Sequence, residues 1–413
     1  MINQNAYDCD LDFIVTPGDT LLETIESLDI TQAELARRTG RTVKLINEII
    51  KGKAPISADT AIQLEKVLGI PASFWNNLEK KYQEEISECK HKKELESCTG
   101  WLNKFPIKSM IREKYINKMD NDVDQLSELL SFFGVASPKS WDTLWDTKVQ
   151  FRQSPTFESD KYAVITYLRK AEIEATKIKC SPYDKEKFST AISELRNLTN
   201  ETDPQNFVPQ LINTCAAAGV AIVFLPELKG THLSGATKWL SPNKAMIVLS
   251  LRHKRNDHLW FTFFHESGHV ILHAKKKVFI ESNKHLPEVN AEKEADNFAA
   301  NVLIPKDEYK SFVEKHGSII SARDVASFAK SINIHPGIVV GRLQRDEVIP
   351  YRNLNRLIIF INGTNGETQN NIFKYDFSFI WIKMVIVAHR LQYPGFNSLS
   401  QFYCTGRLSD GSF

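Results

Sequence analysis

Two histidines and a glutamate carry the clearest chemical signal in this chain, in the run HESGH at residues 265–269. Residues i and i+4 of a helix share one face, so His265 and His269 can bind one Zn²⁺ from a single helix. Glu266 would then lie beside the open coordination position, where it can act as the general base. The spacing predicts a zinc-dependent hydrolase with Glu266 as its catalytic residue and a peptide bond as its substrate.

A third metal ligand is expected from the segment AEKEAD at residues 291–296. If Ala295 and Ala299 mark the buried face of a second helix, Glu292 shares that face, whereas Glu294 is offset by about 100°. Glu292 is therefore the predicted third ligand, and Glu294 is the alternative. Asp296 lies one turn after Glu292, where it could hold the outer nitrogen of a ligating histidine and fix its tautomer.

A further histidine, His273, lies one turn beyond His269. The face of a helix drifts by about 40° every four residues, so His273 is expected to lie outside the ligand set, behind it or partly exposed. The predicted metal content is therefore one Zn²⁺ per chain, bound by two histidines and one carboxylate.

The elements around these residues predict a mainly α, α+β protein. Continuous β-rich runs predict strands at 220–225, 235–240 and 245–251, directly before the HESGH helix. Helical patterns fit 289–303, 305–315, 321–331 and 336–344, and a hairpin is expected at 358–366. The strand at 245–251 is a candidate to pair with an extended substrate. The predicted domains are 13–82, a helical middle region 83–215, a catalytic domain 216–345 and a C-terminal extension 346–413.

Residues 17–82 predict five short helices, with capping signals at Thr16, Thr31, Thr42 and Ser57. The second and third helices fit a helix-turn-helix, and the segment from 31 to 53 carries six basic and two acidic side chains. That local excess of positive charge is typical of a DNA-binding surface. The candidate DNA contacts are Gln32, Thr42, Val43, Lys44, Asn47, Glu48 and Lys51.

The composition restricts the function classes. A length of 413 residues suits two or three domains, and a net charge of +2 gives the whole chain no bias toward nucleic acid or membrane. The six cysteines show no metal-binding spacing, and the N-terminus shows no secretory signal, so we expect reduced thiols and a cytoplasmic protein. The apolar run at 377–388 is too short to span a bilayer.

The motif HESGH followed by EKEADNFAANVLIP resembles the ImmA/IrrE family of metallo-endopeptidases. The resemblance covers roughly 220–343 and implies a zincin-like domain that cleaves helix-turn-helix repressors. It places His265, His269 and Glu292 at the metal ligands and Glu266 at the catalytic glutamate. The N-terminal segment resembles the Cro/repressor type of helix-turn-helix, in particular HigA-like antitoxins, through TQAELA at 31–36 and IIKGK at 49–53. Residues 358–413 depart from the resemblance.

Two functions from different classes fit these features. The first is a DNA-binding zinc metallo-endopeptidase that cleaves a helix-turn-helix repressor. The second is a HigA-like antitoxin or transcription regulator whose metal domain is regulatory. The expected partners are operator DNA, a repressor substrate, a toxin protein under the second function, and a second copy of the chain, because such proteins often match two-fold operators. A non-proteolytic zinc hydrolase ranks last.

Overall fold

The computed structural model describes residues 15–146, 160–250, 254–273, 279–280, 286–317 and 319–361. The chain divides into two compact units, Met1–Gln150 and Phe151–Phe413. This division falls inside the segment 83–215 that the sequence assigns to one middle region, and the predicted domain limits stay a prediction. Among the described residues, no helix is both long and apolar enough to cross a lipid bilayer.

In the described part of the first unit, residues 15–146, the regular elements are all helices. Thr16, Thr31, Thr42 and Ser57 cap the N-termini of its first four helices, each accepting a hydrogen bond from the backbone N–H three residues on. The helices are α1 Pro17–Ser27, α2 Gln32–Thr39, α3 Val43–Ile50, α4 Ala58–Leu68, α5 Ala72–Glu96, α6 Ile107–Arg112, α7 Asp122–Phe133 and α8 Pro138–Trp141, with a 3₁₀ helix at Thr99–Lys104.

The five N-terminal helices enclose one apolar core. Leu21, Ile25, Leu35, Ile46 and Trp75 are among its buried side chains. These five helices agree with the sequence prediction, and the mixed charge of the stretch 79–97 is compatible with a solvated helix or a linker. The structure continues α5 through that stretch. Pairs of opposite charge four residues apart, such as Lys80–Glu84 and Lys81–Glu85, favour this helical continuation.

The second unit surrounds a small sheet with helices, which confirms the mainly α, α+β class. Its helices are α9 Lys161–Lys177, α10 Lys185–Leu195, α11 Pro204–Ala217, α12 Asn256–Leu272, α13 Leu286–Leu303, α14 Lys306–His316, α15 Ala322–Ser331 and α16 Pro336–Arg345, with a 3₁₀ helix at Asn355–Leu357. Its strands are β1 Val220–Leu225, β2 Gly235–Ser241, β3 Lys244–Ser250 and β4 Phe279–Ile280.

The four strands found among the described residues lie in the order β1-β3-β2-β4. β1 runs parallel to β3, with Val220 opposite Ala245, and β2 runs antiparallel to both β3 and β4. β3 is therefore paired along both edges. This contradicts the expectation that the strand at 245–251 could pair with an extended substrate, because its backbone hydrogen-bonding groups are already used by β1 and β2.

α12 packs its apolar side chains against the sheet, where Trp260, Phe263 and Phe264 are fully buried. Its other side meets α13 at Gly268. A Cβ there would lie 3.2 Å from Ala295 Cα and 3.2 Å from the Phe298 ring, so glycine allows this close approach. The core of the unit thus fixes α12 and α13 at a short separation.

Of the predicted hairpin at 358–366, only residues 358–361 are described, and there Phe360 forms an isolated bridge with Arg255. The short strand β4 is not anticipated by the sequence pattern. Cys98, Cys180 and Cys215 are free thiols, whereas Cys89 is disulfide-bonded, which departs from the expectation of reduced thiols.

Candidate metal centre and helix-turn-helix surface

The HESGH helix presents both of its histidines to one point. His265 and His269 are 4% and 2% exposed, and they lie one turn apart on α12. Their Nε2 atoms are 3.0 Å from each other. Two lone pairs brought this close repel one another unless a proton or a cation lies between them. The pair therefore has the form of a ligand set.

α13 adds a carboxylate to the two imidazoles. Glu292 Oε2 lies 3.2 Å from His265 Nε2, and Glu292 Oε1 lies 3.4 Å from His269 Nε2. The ligand atoms of these three residues all lie within 4.8 Å of one another. The predicted alternative, Glu294, points elsewhere and contacts His273 instead.

The donor set fits zinc. Two imidazole nitrogens and one carboxylate are a usual catalytic zinc set, with the fourth position left open. Tetrahedral ligands at about 2.0–2.2 Å from Zn²⁺ are separated by about 3.3–3.6 Å. The separations of 3.0, 3.2 and 3.4 Å found here are close to that range. Small side-chain movements would bring His265, His269 and Glu292 to the geometry of a three-ligand zinc site.

The charges of the three groups are already coupled. Burial disfavours a charged His265, but hydrogen bonds to Asp296 and Glu292 outweigh it and raise the pKa of His265 to about 10. Burial likewise acts against ionised Glu292, yet hydrogen bonds from both histidines lower the pKa of Glu292 to about 2. Burial lowers the pKa of His269. Without a metal, His265 is therefore protonated at neutral pH beside the ionised Glu292, and a bound cation would take the place of its Nε2 proton.

Behind His265 lies a pair of opposite charges. His265 Nδ1 is 2.9 Å from Asp296 Oδ1, and Arg345 on α16 donates to Asp296 Oδ2 at 2.7 Å. The Arg345 guanidinium also lies 4.2 Å from the centre of the Phe261 ring. A carboxylate that accepts from Nδ1–H leaves the Nε2 lone pair directed at the ligand set.

Glu266 lies beside the three ligands and is held by the sheet. It is 1% exposed, and its Oε2 accepts a 2.6 Å hydrogen bond from Thr237 Oγ1 of β2. The Thr237 hydroxyl also lies 3.2 Å from the Glu266 carbonyl oxygen. Gly235 leaves room for this carboxylate, because a Cβ there would lie 3.0 Å from Glu266 Oε1. The candidate base therefore has a fixed orientation.

The helix-turn-helix places most of its predicted contacts on one side of α3. Val43 is 52% exposed, and the Lys44 side chain is 84% exposed, 3.8 Å from Glu48. Asn47 is half-buried and donates to Gln32 Oε1 at 3.2 Å, which joins α3 to the start of α2. Of the remaining candidates, Glu48 is half-buried, Lys51 is exposed, and Thr42 is exposed with its hydroxyl capping α3.

Sequence reasoning missed two side chains that hold the candidate site, Thr237 and Arg345. Thr237 is 29 positions from Glu266, and Arg345 is 49 positions from Asp296. No local spacing signals either contact. A threonine in a strand and an arginine in the last turn of a helix are ordinary residues for those places.

Fold and site together define a helix-turn-helix protein with a metallopeptidase-like domain. Residues 215–343 match the family described as the IrrE N-terminal-like domain, and residues 21–75 match the helix-turn-helix family. The chain is 30% identical over 63 residues to an uncharacterized HTH-type transcriptional regulator, YddM, of Escherichia coli K12. That stretch is 15% of this chain and 67% of the relative.

Two solved structures are similar to the N-terminal part. One is a putative antidote protein of a plasmid maintenance system from Nostoc punctiforme, at 33% identity, 20% of this chain, 92% of that chain and a TM-score of 0.20. The other is the Pseudomonas aeruginosa antitoxin HigA with the higBA promoter, at 32% identity, the same two coverages and a TM-score of 0.20. By its sequence matches, the chain belongs to the helix-turn-helix transcription regulators and carries an IrrE-like domain.

Proposed function

We propose that this protein is a DNA-binding, zinc-dependent metallo-endopeptidase that cleaves a helix-turn-helix repressor. The observation that carries the proposal is the convergence of His265, His269 and Glu292 within 3.0–3.4 Å, with Glu266 beside them. The match to the IrrE-like family over the same residues supports it.

Each residue has a definite part in the proposed hydrolysis. His265, His269 and Glu292 would hold the zinc ion, which when bound supplies Lewis-acid polarisation of the scissile carbonyl group and makes water more acidic. Glu266 accepts a proton from the attacking water and passes it to the leaving amine. Thr237 keeps the Glu266 carboxylate in one orientation during both transfers. The aromatic core around α12 excludes bulk water from the inner side of the site.

The helix-turn-helix would bring the peptidase domain to an operator. Val43 and Lys44 project from α3, the helix that would enter the major groove. The hydrogen bond between Asn47 and Gln32 holds two candidate DNA contacts in a fixed relation. The basic side chains of the segment 31–53 would contact phosphates, which gives affinity that falls as salt rises.

A second candidate function is a transcription regulator whose metal domain responds to a ligand or partner without cleaving. The burial of Glu266, at 1% exposure, favours it, because a general base must reach a water molecule beside the substrate. The similarity to a transcriptional regulator supports it as well. Under this function a toxin protein remains a candidate partner, and a second copy of the chain remains one under both.

Metal content of the purified full-length protein is the first test. We expect about one zinc per chain in the wild type, in Glu266→Gln and in Glu308→Ala, and loss of zinc in His265→Ala and Glu292→Ala. Glu308→Ala is the control, since it removes an exposed carboxylate of α14 that takes no part in the proposed ligand set. Zinc retained in Glu292→Ala, or absent from the reconstituted wild type, would contradict the proposed ligand set.

Cleavage separates the two functions. The wild type is incubated with a helix-turn-helix repressor encoded beside its own gene, and fragments are identified by mass spectrometry. Cleavage by the wild type and none by Glu266→Gln supports the peptidase. Equal cleavage by both refutes Glu266 as the base. No cleavage by a zinc-loaded wild type favours the regulator.

DNA binding is tested by a mobility shift on the fragment upstream of the gene. Lys44→Glu should weaken binding strongly, because it reverses a charge on α3. Lys66→Glu, the same change on an exposed residue in the last turn of α4, is the control and should bind nearly as the wild type does. Equal affinity of Lys44→Glu and the wild type would mean that α3 does not read DNA.

A further inference from the structure

A second carboxylate–histidine pair lies behind the metal centre, on the side of His269. His273 follows His269 by one turn, at the C-terminal end of α12. The Nδ1 atoms of the two rings are 3.0 Å apart. On the other side of its ring, His273 Nε2 lies 3.1 Å from Glu294 Oε2 of α13. The three side chains form an unbroken line of contacts.

The hydrogen-bonding roles in this line follow from the acceptor at its end. An ionised carboxylate only accepts, so His273 must carry its proton on Nε2 to donate to Glu294. The Nδ1 atom of a neutral His273 is then an acceptor. A contact of 3.0 Å between two Nδ1 atoms requires the other one, on His269, to be the donor. His269 is thereby left with a free lone pair on Nε2, the atom that faces His265 and Glu292.

We propose that Glu294 and His273 are positioning residues that fix the tautomer and ring orientation of His269. The inference rests on the metal site of the proposed function and deepens it. Asp296 fixes the tautomer of His265 by direct contact, with its Oδ1 atom 2.9 Å from His265 Nδ1. The outer nitrogen of His269 contacts His273 instead, and through this second imidazole it is linked to the Glu294 carboxylate. Outer partners of this kind typically change metal affinity by about 10–100-fold.

The proposed line runs from the buried site to the surface. His269 is 2% exposed, the His273 side chain is 10% exposed, and the Glu294 side chain is 61% exposed. A substitution at a surface residue that touches no ligand atom should therefore change metal affinity through His273. This also accounts for the residue that the sequence offered as an alternative ligand: Glu294 acts on the site from its outer side.

The test measures the zinc dissociation constant of the full-length protein by competition with a chromophoric chelator. His273→Leu keeps bulk and removes the acceptor, so zinc binding should weaken about tenfold or more. His273→Asn is the conservative variant: its Oδ1 can take the place of Nδ1, and we expect affinity within about threefold of the wild type. Glu294→Ala should weaken binding by about threefold to tenfold. Glu308→Ala, an exposed charge on α14, is the control and should have no effect.

The double variant His273→Leu/Glu294→Ala distinguishes two ways in which Glu294 could affect zinc affinity. In a relay, Glu294 acts on His269 through His273; otherwise it acts by its charge or as a ligand. If Glu294 acts through His273, the double variant binds zinc no more weakly than His273→Leu alone. If Glu294 acts as a ligand or by its charge, its removal costs the same factor in either background, and the relay is wrong.

Two further results would also overturn the relay: wild-type affinity in His273→Leu, or affinity in His273→Asn as weak as in His273→Leu. Neither result would contradict the proposed ligand set, provided that His265→Ala still loses zinc. A wild type that binds no zinc overturns both the relay and the metal site. Since Glu294→Ala changes only an exposed side chain, it remains informative even if a change at His273 impairs folding.

Discussion

Arg345 offers a sharp test of how the candidate site is supported. Its guanidinium donates to Asp296 Oδ2 at 2.7 Å, and Asp296 Oδ1 lies 2.9 Å from His265 Nδ1. The substitution Arg345→Met keeps an unbranched side chain that can still cover the Phe261 ring, but it removes the charged donor. Asp296 then holds His265 without a partner on its second oxygen. We expect zinc affinity to fall while the ligands themselves are unchanged.

The size of the effect follows from exposure. Hydrogen bonds between charged groups contribute about 1.5–3 kcal/mol where solvent is excluded. The Arg345 and Asp296 side chains are 46% and 39% exposed, so solvent screens this pair. Exposed ion pairs contribute about 0.2–1 kcal/mol. Because the ion pair is present with and without zinc, its full energy is an upper limit: about 1 kcal/mol corresponds to at most about a fivefold rise in the zinc dissociation constant.

Arg342 provides a matched control on the same helix. It donates to Asp346 at 2.5 Å and lies 5.0 Å from the Tyr309 ring centre, so Arg342→Met likewise removes a charged donor to a carboxylate and keeps a side chain that can cover an aromatic ring. Asp346 has no histidine contact among the described residues. Chelator competition should therefore show a change in Arg345→Met and none in Arg342→Met. Equal zinc affinity in the two variants would refute the idea that Arg345 supports His265 through Asp296.

Three further predictions concern the same unit. Thr237→Val should lower kcat for repressor cleavage by about tenfold or more, through loss of the hydrogen bond to Glu266, with zinc content unchanged and activity recovered in Thr237→Ser. Gly268→Ala should lower the free energy of unfolding by about 1–3 kcal/mol in a denaturant titration, because its Cβ would press on Ala295. Zinc at about a hundred times its dissociation constant should stabilise the unit by about 2.7 kcal/mol in thermal melts, and Glu292→Ala should abolish that gain.

Helical spacing in the sequence is enough to predict most residues of the candidate site. The argument that Ala295 and Ala299 face inward is confirmed, since both are fully buried. Glu292 shares their side of α13, and it reaches the histidines where Glu294 does not. Such inferences succeed because they need only the 3.6-residue period within one helix. The N-terminal caps at Thr16, Thr31, Thr42 and Ser57 are predictable for the same reason, since each joins a side chain to the backbone N–H only three residues further on.

Contacts between distant segments were beyond that kind of argument. The sequence gives three strands but not their order, and only the order shows that β3 is central and unavailable to a substrate. Thr237 and Arg345 reach the site from β2 and α16, and their roles depend on tertiary packing. The two-residue strand β4 is too short for a periodic signal. Contacts between distant segments could not be predicted from the sequence, whereas contacts within one helix could.

The arrangement of acidic residues on α13 shows how one helix can serve two histidines of another. Residues two apart on a helix point about 200° away from each other, while residues four apart differ by about 40°. Glu292 and Asp296 therefore lie on the same side of α13, and both contact His265, one at Nε2 and the other at Nδ1. Glu294 points to a different side of the helix, where it contacts His273. At the ligand set, the carboxylate of Glu294 would add negative charge beside Glu292 and Glu266. The intervening imidazole lets the helix support His269 while keeping that extra charge at the surface.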